Sequence, residues 1–146
     1  VIRANDPDAI IIVGSSTWSQ DVHVVQMDPL EYDNLLYALH FYAGTHKDYL
    51  RERMKTCIKL GLPIIVSEFG ICDASGNGKL DYESGEAWKK LIEEYNVSFF
   101  CWNLANKGES SSIFKPLSIA RSGWTDDDLS DQGKWIRDWF LTKTNP

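Results

Sequence analysis

Four short apolar runs divide the chain at intervals that suit a strand followed by a crossover helix. They start about 25 to 35 residues apart and cover residues 10–13, 35–41, 63–69 and 97–102. The third run, Pro-Ile-Ile-Val-Ser-Glu-Phe, is apolar almost throughout rather than at alternate positions. That pattern is typical of a strand buried on both faces in a parallel sheet.

Helical periodicity fills the intervals between the later runs. Apolar residues recur at helical spacing over residues 47–60 and again over 85–95. A last helix is predicted over 131–141 with Ser130 as its N-cap, whereas residues 19–34 are only weakly helical. The alternation of strands and helices predicts an α/β fold, with a parallel sheet and helices outside it.

The number of units predicts half of a larger closed sheet. Four strand–helix units are half of a (β/α)8 TIM barrel, whose usual length is ~250 residues, and this chain has 146. A complete small doubly wound domain is the alternative. No Gly-x-Gly-x-x-Gly follows any of the runs, which leaves a nucleotide-binding fold with little support.

Charge and cysteine content exclude several classes of partner and site. The net charge is −6 and the Lys and Arg residues are scattered, so no nucleic acid partner is expected. No apolar run approaches the ~20 residues of a membrane span, and no signal peptide is recognisable. Cys57, Cys72 and Cys101 lack a Cys-x-x-Cys spacing, so we expect free thiols and no metal site, with proximity of Cys72 and Cys101 left open. No cofactor is expected either. The 6 Trp, 6 Tyr and 6 Phe residues would suit either sugar stacking or core packing.

Polar and aromatic side chains stand at the end of every apolar run. Glu68 ends the third run, where an ionised carboxylate needs a partner or a task because burying it unpaired is costly. His40 and Tyr42 are two apart on the second strand and therefore point to the same side, where they would hold a carboxylate ionised. The other candidates at run ends are Trp18, Trp102, Lys107 and Glu109. In a barrel this is the face that carries active sites.

Structural roles would account for the same residue types. The alternative for His40 is a satisfied core histidine and that for Glu68 is a structural ion pair, and both are less favoured than the functional roles. Trp18 and Trp102 would serve as packing residues, and the charges near residue 108 would serve as an ordinary surface loop.

The segment 73–84 resembles a calcium loop of the EF-hand type but departs from it at one position. Oxygen ligands fall at positions 1, 3, 5 and 9 and a glycine at 6, while Ser84 stands at 12, where a bidentate Glu is needed. We therefore predict a glycine-rich surface loop after the third strand rather than a calcium site.

Taken together, the ends of the runs resemble the C-terminal half of a bacterial endo-1,4-β-glucanase (cellulase) of glycoside hydrolase family 5. The resemblance lies in the order and spacing of several segments, namely residues 12–22, 37–46, 63–70, 101–111, 123–125 and 129–130. It implies a single, partial catalytic domain over residues 1–146, made of the four C-terminal units of a TIM barrel. It also implies a secreted enzyme that hydrolyses β-1,4-glucosidic bonds in cellulose.

The resemblance also implies a role for each candidate residue. Glu68 is then the nucleophile, Tyr42 its hydrogen-bond donor and His40 a border of the same sugar subsite. Trp102 resembles the aromatic floor beneath that sugar and Trp18 a wall on the leaving-group side. The loop residues Lys107 and Glu109 resemble groups that bind sugar hydroxyls further along the cleft.

One catalytic group of the family has no counterpart in this sequence. The family's general acid/base is a glutamate after an asparagine at the end of the fourth strand, and no Asn-Glu pair occurs here. Retaining hydrolysis needs such an acid about 5–5.5 Å from the nucleophile. We therefore expect the chain to supply the nucleophile half of the site and to be weak or inactive alone, with Asp21 or Glu109 as a lesser candidate acid.

The partner that would complete the site is left open between two possibilities. One is the missing N-terminal half-barrel, and the other is a second copy, since open sheet edges and an uncovered inner face promote association. The alternative function is accordingly a catalytically inactive half-barrel that self-associates and at most binds cello-oligosaccharides.

Overall fold

Three parallel strands lie side by side in chain order, and the longer helices pack on one face of the sheet. The computed structural model describes residues 1–144. In chain order the elements are α1 (Ile2–Asn5), β1 (Ile11–Val13), α2 (Ser16–Ser19), α3 (Val22–Met27), β2 (Leu35–Tyr42), α4 (Asp48–Lys59), β3 (Ile64–Gly70), α5 (Tyr82–Glu94) and α6 (Asp131–Thr144). The predicted alternation of strands and helices is therefore confirmed, including the weakly helical first crossover.

The ends of the long helices follow their capping residues. The hydroxyl of Ser130 accepts a hydrogen bond of 2.9 Å from the amide of Gly133, so the predicted cap of α6 is confirmed. Helix α5 begins at Tyr82, three residues before the predicted start. The reason is Asp81, whose carboxylate accepts the amide of Ser84 and so caps an additional turn.

The fourth apolar run does not form a full strand, so the expectation of four strands is corrected for the described residues. Phe99 makes one parallel bridge to Val66 on β3. The amide of Phe100 then bonds to Val66, and the amide of Trp102 bonds to Phe69. Two residues along the run thus span three along β3, and this mismatch interrupts the ladder.

The extra residue in β3 is Ser67, and it also has no pairing partner on β2, the neighbouring strand on the other side. On β2, Leu39 pairs with Val66 and the next residue, His40, pairs with Glu68. Ser67 is therefore a β-bulge relative to both neighbours. Bulges redirect the side chains that follow them, and the residue that follows here is Glu68.

Alternate strand residues enter the core between the sheet and the helices. Phe41 of β2 stacks on Trp88 of α5 with ring centroids 3.9 Å apart and an interplanar angle of 8°. Such a pair contributes roughly 0.5–1.5 kcal/mol beyond the burial of its area. Trp139 of α6 packs against Phe69 and Phe99 in the same cluster. The helices thereby fix the orientation of β3 from behind.

The opposite face of the sheet is more open. Ile12 and Phe100 alternate with the core-facing Val13 and Phe99, and they are 47% and 61% exposed. In closed parallel sheets such side chains fill the interior. Within residues 1–144, no helix combines the length and the apolar character that crossing a bilayer would take.

Candidate active site

Glu68 lies near the carboxyl end of β3, one residue after the bulge. Its side chain is 25% exposed, so the carboxylate is partly shielded but accessible from the open face. Parallel strands bring their carboxyl ends to one edge, and the end of β2 therefore lies beside it.

Tyr42 donates a hydrogen bond of 2.8 Å from its hydroxyl to Oε1 of Glu68. Burial raises the pKa of the Tyr42 phenol above its usual value, and the hydrogen bond and charge of Glu68 raise it further. The phenol therefore stays protonated across the working range of pH and remains a hydrogen-bond donor.

His40 approaches the other oxygen of the same carboxylate. Its Nδ1 atom lies 3.8 Å from Oε2 of Glu68, which is an electrostatic contact rather than a hydrogen bond. Its Nε2 atom lies 2.9 Å from the hydroxyl of Ser67. The bulge residue thus fixes the imidazole, and the same-side prediction for His40 and Tyr42 agrees with their shared contact to Glu68.

A cleft of about 520 Å³ opens over this group of side chains. It brings together the predicted residues Trp18, His40, Tyr42, Glu68, Trp102 and Glu109. Lys107 does not line this cleft and lies instead in an adjoining groove, which Glu109 also lines. Glu109 therefore stands between the two depressions.

Trp18 projects from a short turn with unusual backbone geometry. Thr17, Trp18 and Ser19 have φ values of 54°, 49° and 61°, in the left-handed region that is costly for residues with a side chain. The indole is 82% exposed. A conformation of this kind persists only where the surroundings hold it.

Asp21 holds that turn. Its carboxylate accepts hydrogen bonds from the hydroxyls of Thr17 and Ser16, and Arg53 on α4 donates to it at 2.9 Å. The hydroxyl of Thr17 is the main reason why the pKa of Asp21 is lowered, with Ser16 and Arg53 adding to the effect. Arg53 also donates to the carbonyl of Gln20.

Trp102 follows the fourth apolar run and is 45% exposed. Its amide donates to the carbonyl of Phe69 at 2.7 Å, which ties it to the strand that carries Glu68. Its own carbonyl accepts a hydrogen bond of 2.8 Å from Gln132, and its peptide bond to Asn103 is cis.

His46 is a residue of the cleft that the sequence analysis did not select. It is 5% exposed, and its Nδ1 accepts the amide of Tyr42 at 2.7 Å. Burial lowers the pKa of His46, so the neutral ring that can accept this bond is favoured. The available signal was its position four residues after Tyr42, in a turn that begins at the end of β2.

No metal site is assembled in the part of the chain that the structure describes. No group of three His, Cys, Asp or Glu side chains is placed to hold a metal ion there. Cys57, Cys72 and Cys101 are free. In the segment 73–84, Asp73 accepts the amide of Ser75 at 2.8 Å, which closes a local turn.

Comparison with known proteins gives one consistent family. A family model described as cellulase (glycosyl hydrolase family 5) matches residues 1–108. Endoglucanase N of Pectobacterium atrosepticum is 44% identical over 144 residues, covering 99% of this chain and 32% of that protein. An endoglucanase of Clostridium saccharobutylicum is 43% identical over 136 residues, covering 93% of this chain and 30% of that protein.

Solved structures agree with this result. A structure from Cytophaga hutchinsonii superposes with a TM-score of 0.95 at 38% identity, covering 99% of this chain and 47% of that one. The catalytic domain of a Thermobifida fusca endoglucanase, solved with cellotetraose, superposes with a TM-score of 0.91 at 28% identity and covers 96% and 48%. The chain thus spans about a third of these curated relatives and just under half of these solved chains.

Proposed function

The chain belongs to the cellulase family, glycosyl hydrolase family 5, and from this membership we propose that it supplies the nucleophile half of a retaining β-1,4-glucanase site. The observation that carries the proposal is the Glu68 carboxylate, held by Tyr42 at a strand end inside a cleft bordered by two tryptophans. In this proposal residues 1–146 are one partial catalytic domain, made of four C-terminal units of a TIM barrel.

The proposed chemistry begins at Glu68. One of its oxygens attacks the anomeric carbon while the bond to the leaving oxygen breaks and that oxygen takes a proton from an acid. Water then cleaves the glycosyl ester and restores the carboxylate. Tyr42 keeps the attacking group oriented, because its hydroxyl donates to Oε1 and leaves the other oxygen for the sugar.

The remaining residues suit a glucan chain. The half-exposed indole of Trp102 offers an apolar face for the C–H groups of a glucose ring beside Glu68, and the indole of Trp18 offers another on the leaving-group side. His40 borders the same sugar. Glu109 and Lys107 offer charged partners for hydroxyls, Glu109 at the end of the cleft and Lys107 in the adjoining groove.

The general acid is proposed to come from outside these residues. Glu109 is the one other carboxylate that lines the cleft in the described part of the chain, and it stays the lesser candidate for the acid. Asp21 is unsuited, because a general acid needs a raised pKa and that of Asp21 is lowered by its hydrogen bonds. We therefore expect the isolated chain to be weak or inactive and the missing N-terminal half-barrel to provide the acid. Because cellulose cannot enter a cell, the whole protein is expected to be secreted.

Reconstitution tests this function directly. The chain is mixed with a fragment of the Pectobacterium atrosepticum relative that carries the first four strands, and new reducing ends are measured on a soluble cellulose. We expect activity from the mixture alone, and Glu68→Gln to reduce it about a thousandfold or more, while the exposed Glu52→Gln leaves it unchanged. Folded and associated fragments without activity would contradict the proposal.

The open face of the sheet favours a second candidate function. Ile12 and Phe100 leave apolar area exposed where a closed sheet would be filled, and strand edges left open are prone to pairing. In that case the chain self-associates and binds cello-oligosaccharides without hydrolysing them. Light scattering distinguishes the candidates, because a monodisperse monomer across a wide concentration range would exclude self-association.

A further inference from the structure

Gln132, in the first turn of α6, is a fully buried polar side chain that does not line the cleft over Glu68. Its Nε2 atom donates to the carbonyls of Trp102 and Ser111, both at 2.8 Å. Its Oε1 atom accepts the amide of Ile71 at 2.9 Å. None of its surface is exposed.

Only a carboxamide satisfies this arrangement. Two carbonyl oxygens require two N–H donors, and one backbone amide requires an acceptor, all on the same planar group. A carboxylate would place an oxygen against two carbonyls. An apolar side chain would take away the partner of the Trp102 carbonyl and of the Ile71 amide, and would leave the Ser111 carbonyl with only the Asn103 amide. Both N–H donors and the oxygen of the Gln132 carboxamide are bonded, as is general for buried polar groups.

The bonds of Gln132 converge on the peptide that carries the Trp102 indole. The amide of Trp102 is held by Phe69 of β3, its carbonyl by Gln132, and the amide of Asn103 by the carbonyl of Ser111. Because Gln132 also bonds to Ser111, it anchors both sides of the peptide between residues 102 and 103. Its third bond is to the amide of Ile71, two residues beyond Phe69. Gln132 therefore links the peptide between residues 102 and 103 to the end of β3.

A glycine makes room for this bridge beside Tyr42. A Cβ atom at Gly70 would come within 3.0 Å of the Tyr42 ring and within 3.2 Å of Oε1 of Gln132. The absence of a side chain there lets the phenol that contacts Glu68 and the carboxamide that holds Trp102 lie against the same point of β3.

We propose that Gln132 is a positioning residue that sets the height and tilt of the Trp102 indole relative to Glu68. Gln132 touches neither the carboxylate nor the cleft and acts through the backbone of Trp102. The consequence for sugar binding rests on the proposed function, whereas the consequence for the indole does not.

The test uses the 146-residue chain labelled with 5-fluorotryptophan, with the ¹⁹F signal of Trp102 assigned through Trp102→Phe. The variants are Gln132→Met, which keeps the length of the side chain and removes all three bonds, and Gln132→Glu, which keeps the acceptor. Ile136→Val, a core truncation on the same helix, is the matched control. Cellotetraose is then titrated into each protein.

We expect Gln132→Met to shift or split the Trp102 signal while the core signals of Trp88 and Trp139 stay in place. Cellotetraose should bind about fivefold more weakly or worse, the loss expected for one hydrogen bond of ordinary strength. In Gln132→Glu, the Trp102 signal should move toward that of the unmodified chain as acid protonates the new carboxyl, which then donates one bond. The control should keep the Trp102 signal unchanged.

The opposite results would overturn the inference. A Trp102 signal unchanged in a folded Gln132→Met chain contradicts positioning, and equal shifts at Trp88 and Trp139 indicate a merely structural role. If Gln132→Met does not fold, the pH response of the Trp102 signal in Gln132→Glu decides the role of Gln132. A Trp102 signal that does not move with pH in that variant would contradict positioning. If the unmodified chain alone does not bind cellotetraose, the half-site by itself does not hold the sugar, reconstitution remains the test of the proposed function, and the Trp102 signal still decides the role of Gln132.

Discussion

Tyr42 and Glu68 are joined by a hydrogen bond of 2.8 Å although they are not partners in the register of the sheet. The partner of Tyr42 is Gly70, and the partner of Glu68 is His40. The bond is therefore diagonal. The Tyr42 ring passes close over Gly70, where a Cβ atom would lie 3.0 Å from the ring, so the glycine leaves room for this bond.

Removing this donor should slow the reconstituted enzyme. Tyr42→Phe keeps the buried ring and loses a hydrogen bond to a charged group, which contributes roughly 1.5–3 kcal/mol. We expect kcat to fall about 10- to 100-fold with little change in KM, because the attacking carboxylate loses its orientation. Steady-state kinetics on a soluble cello-oligosaccharide measures this. Tyr49→Phe, at an exposed position of α4 outside the cleft, should be neutral.

Loss of the Asp21 carboxylate should loosen the turn that presents Trp18. Asp21→Asn weakens the contact to Arg53 and the acceptors for the two hydroxyls, so the left-handed turn loses its support. We expect weaker binding of substrates that extend to the leaving-group side, by about threefold to tenfold, at unchanged kcat. Equal loss for substrates of every length would contradict this account.

The same carboxylate should contribute to acid sensitivity. The pKa of Asp21 is lower in the folded chain than in the unfolded one, so its contribution to stability is present above about pH 4 and is lost as the pH falls through the folded pKa. Urea unfolding between pH 6 and pH 3 should therefore show a shallower decline for Asp21→Asn than for the unmodified chain. An identical decline would contradict the assignment.

His46 should add a second pH dependence at a higher pH. Its folded pKa lies below the unfolded value of about 6.5, so the folded chain takes up this proton later than the unfolded chain does. Stability is then full above about pH 6.5 and declines as the pH falls toward the folded pKa, where the Tyr42 amide would lose its acceptor. His46→Asn, which keeps an acceptor, should remove this decline in urea unfolding, and the exposed His23→Asn should retain it.

Polar replacements on the open face should reduce self-association if the chain assembles with copies of itself. The double variant Ile12→Ser and Phe100→Ser removes apolar area from that face without touching the core cluster. We expect a lower mass in light scattering at matched concentration. Leu117→Ser, at an exposed loop position, is the control and should leave the mass unchanged. Equal effects of both would indicate nonspecific aggregation.

The strands, the long helices and the edge of the sheet that carries the site could be predicted because each depends on residues close together in the sequence. Periodicity identified three strands and the long helices, and the rule that parallel strands end at one edge brought His40, Tyr42 and Glu68 together. The fourth run was predicted as a strand because its apolar character is that of a strand. Whether a run forms a strand also depends on its pairing with the neighbouring strand. The bulge that interrupts this pairing is at Ser67 on β3, so the residues of the fourth run do not reveal it.

The sequence by itself determined the order of the elements, the family resemblance and the choice of Glu68, since each depends on residue types and short spacings. Tertiary structure decided how these groups are held. Gln132 lies 61 residues from the amide that it accepts, and Arg53 lies 32 residues from Asp21. A single glutamine or arginine carries no pattern that marks its partner, because hydrogen bonds over such distances depend on how folded segments meet. The candidate residues could therefore be chosen from the sequence, while their positioning was set by packing.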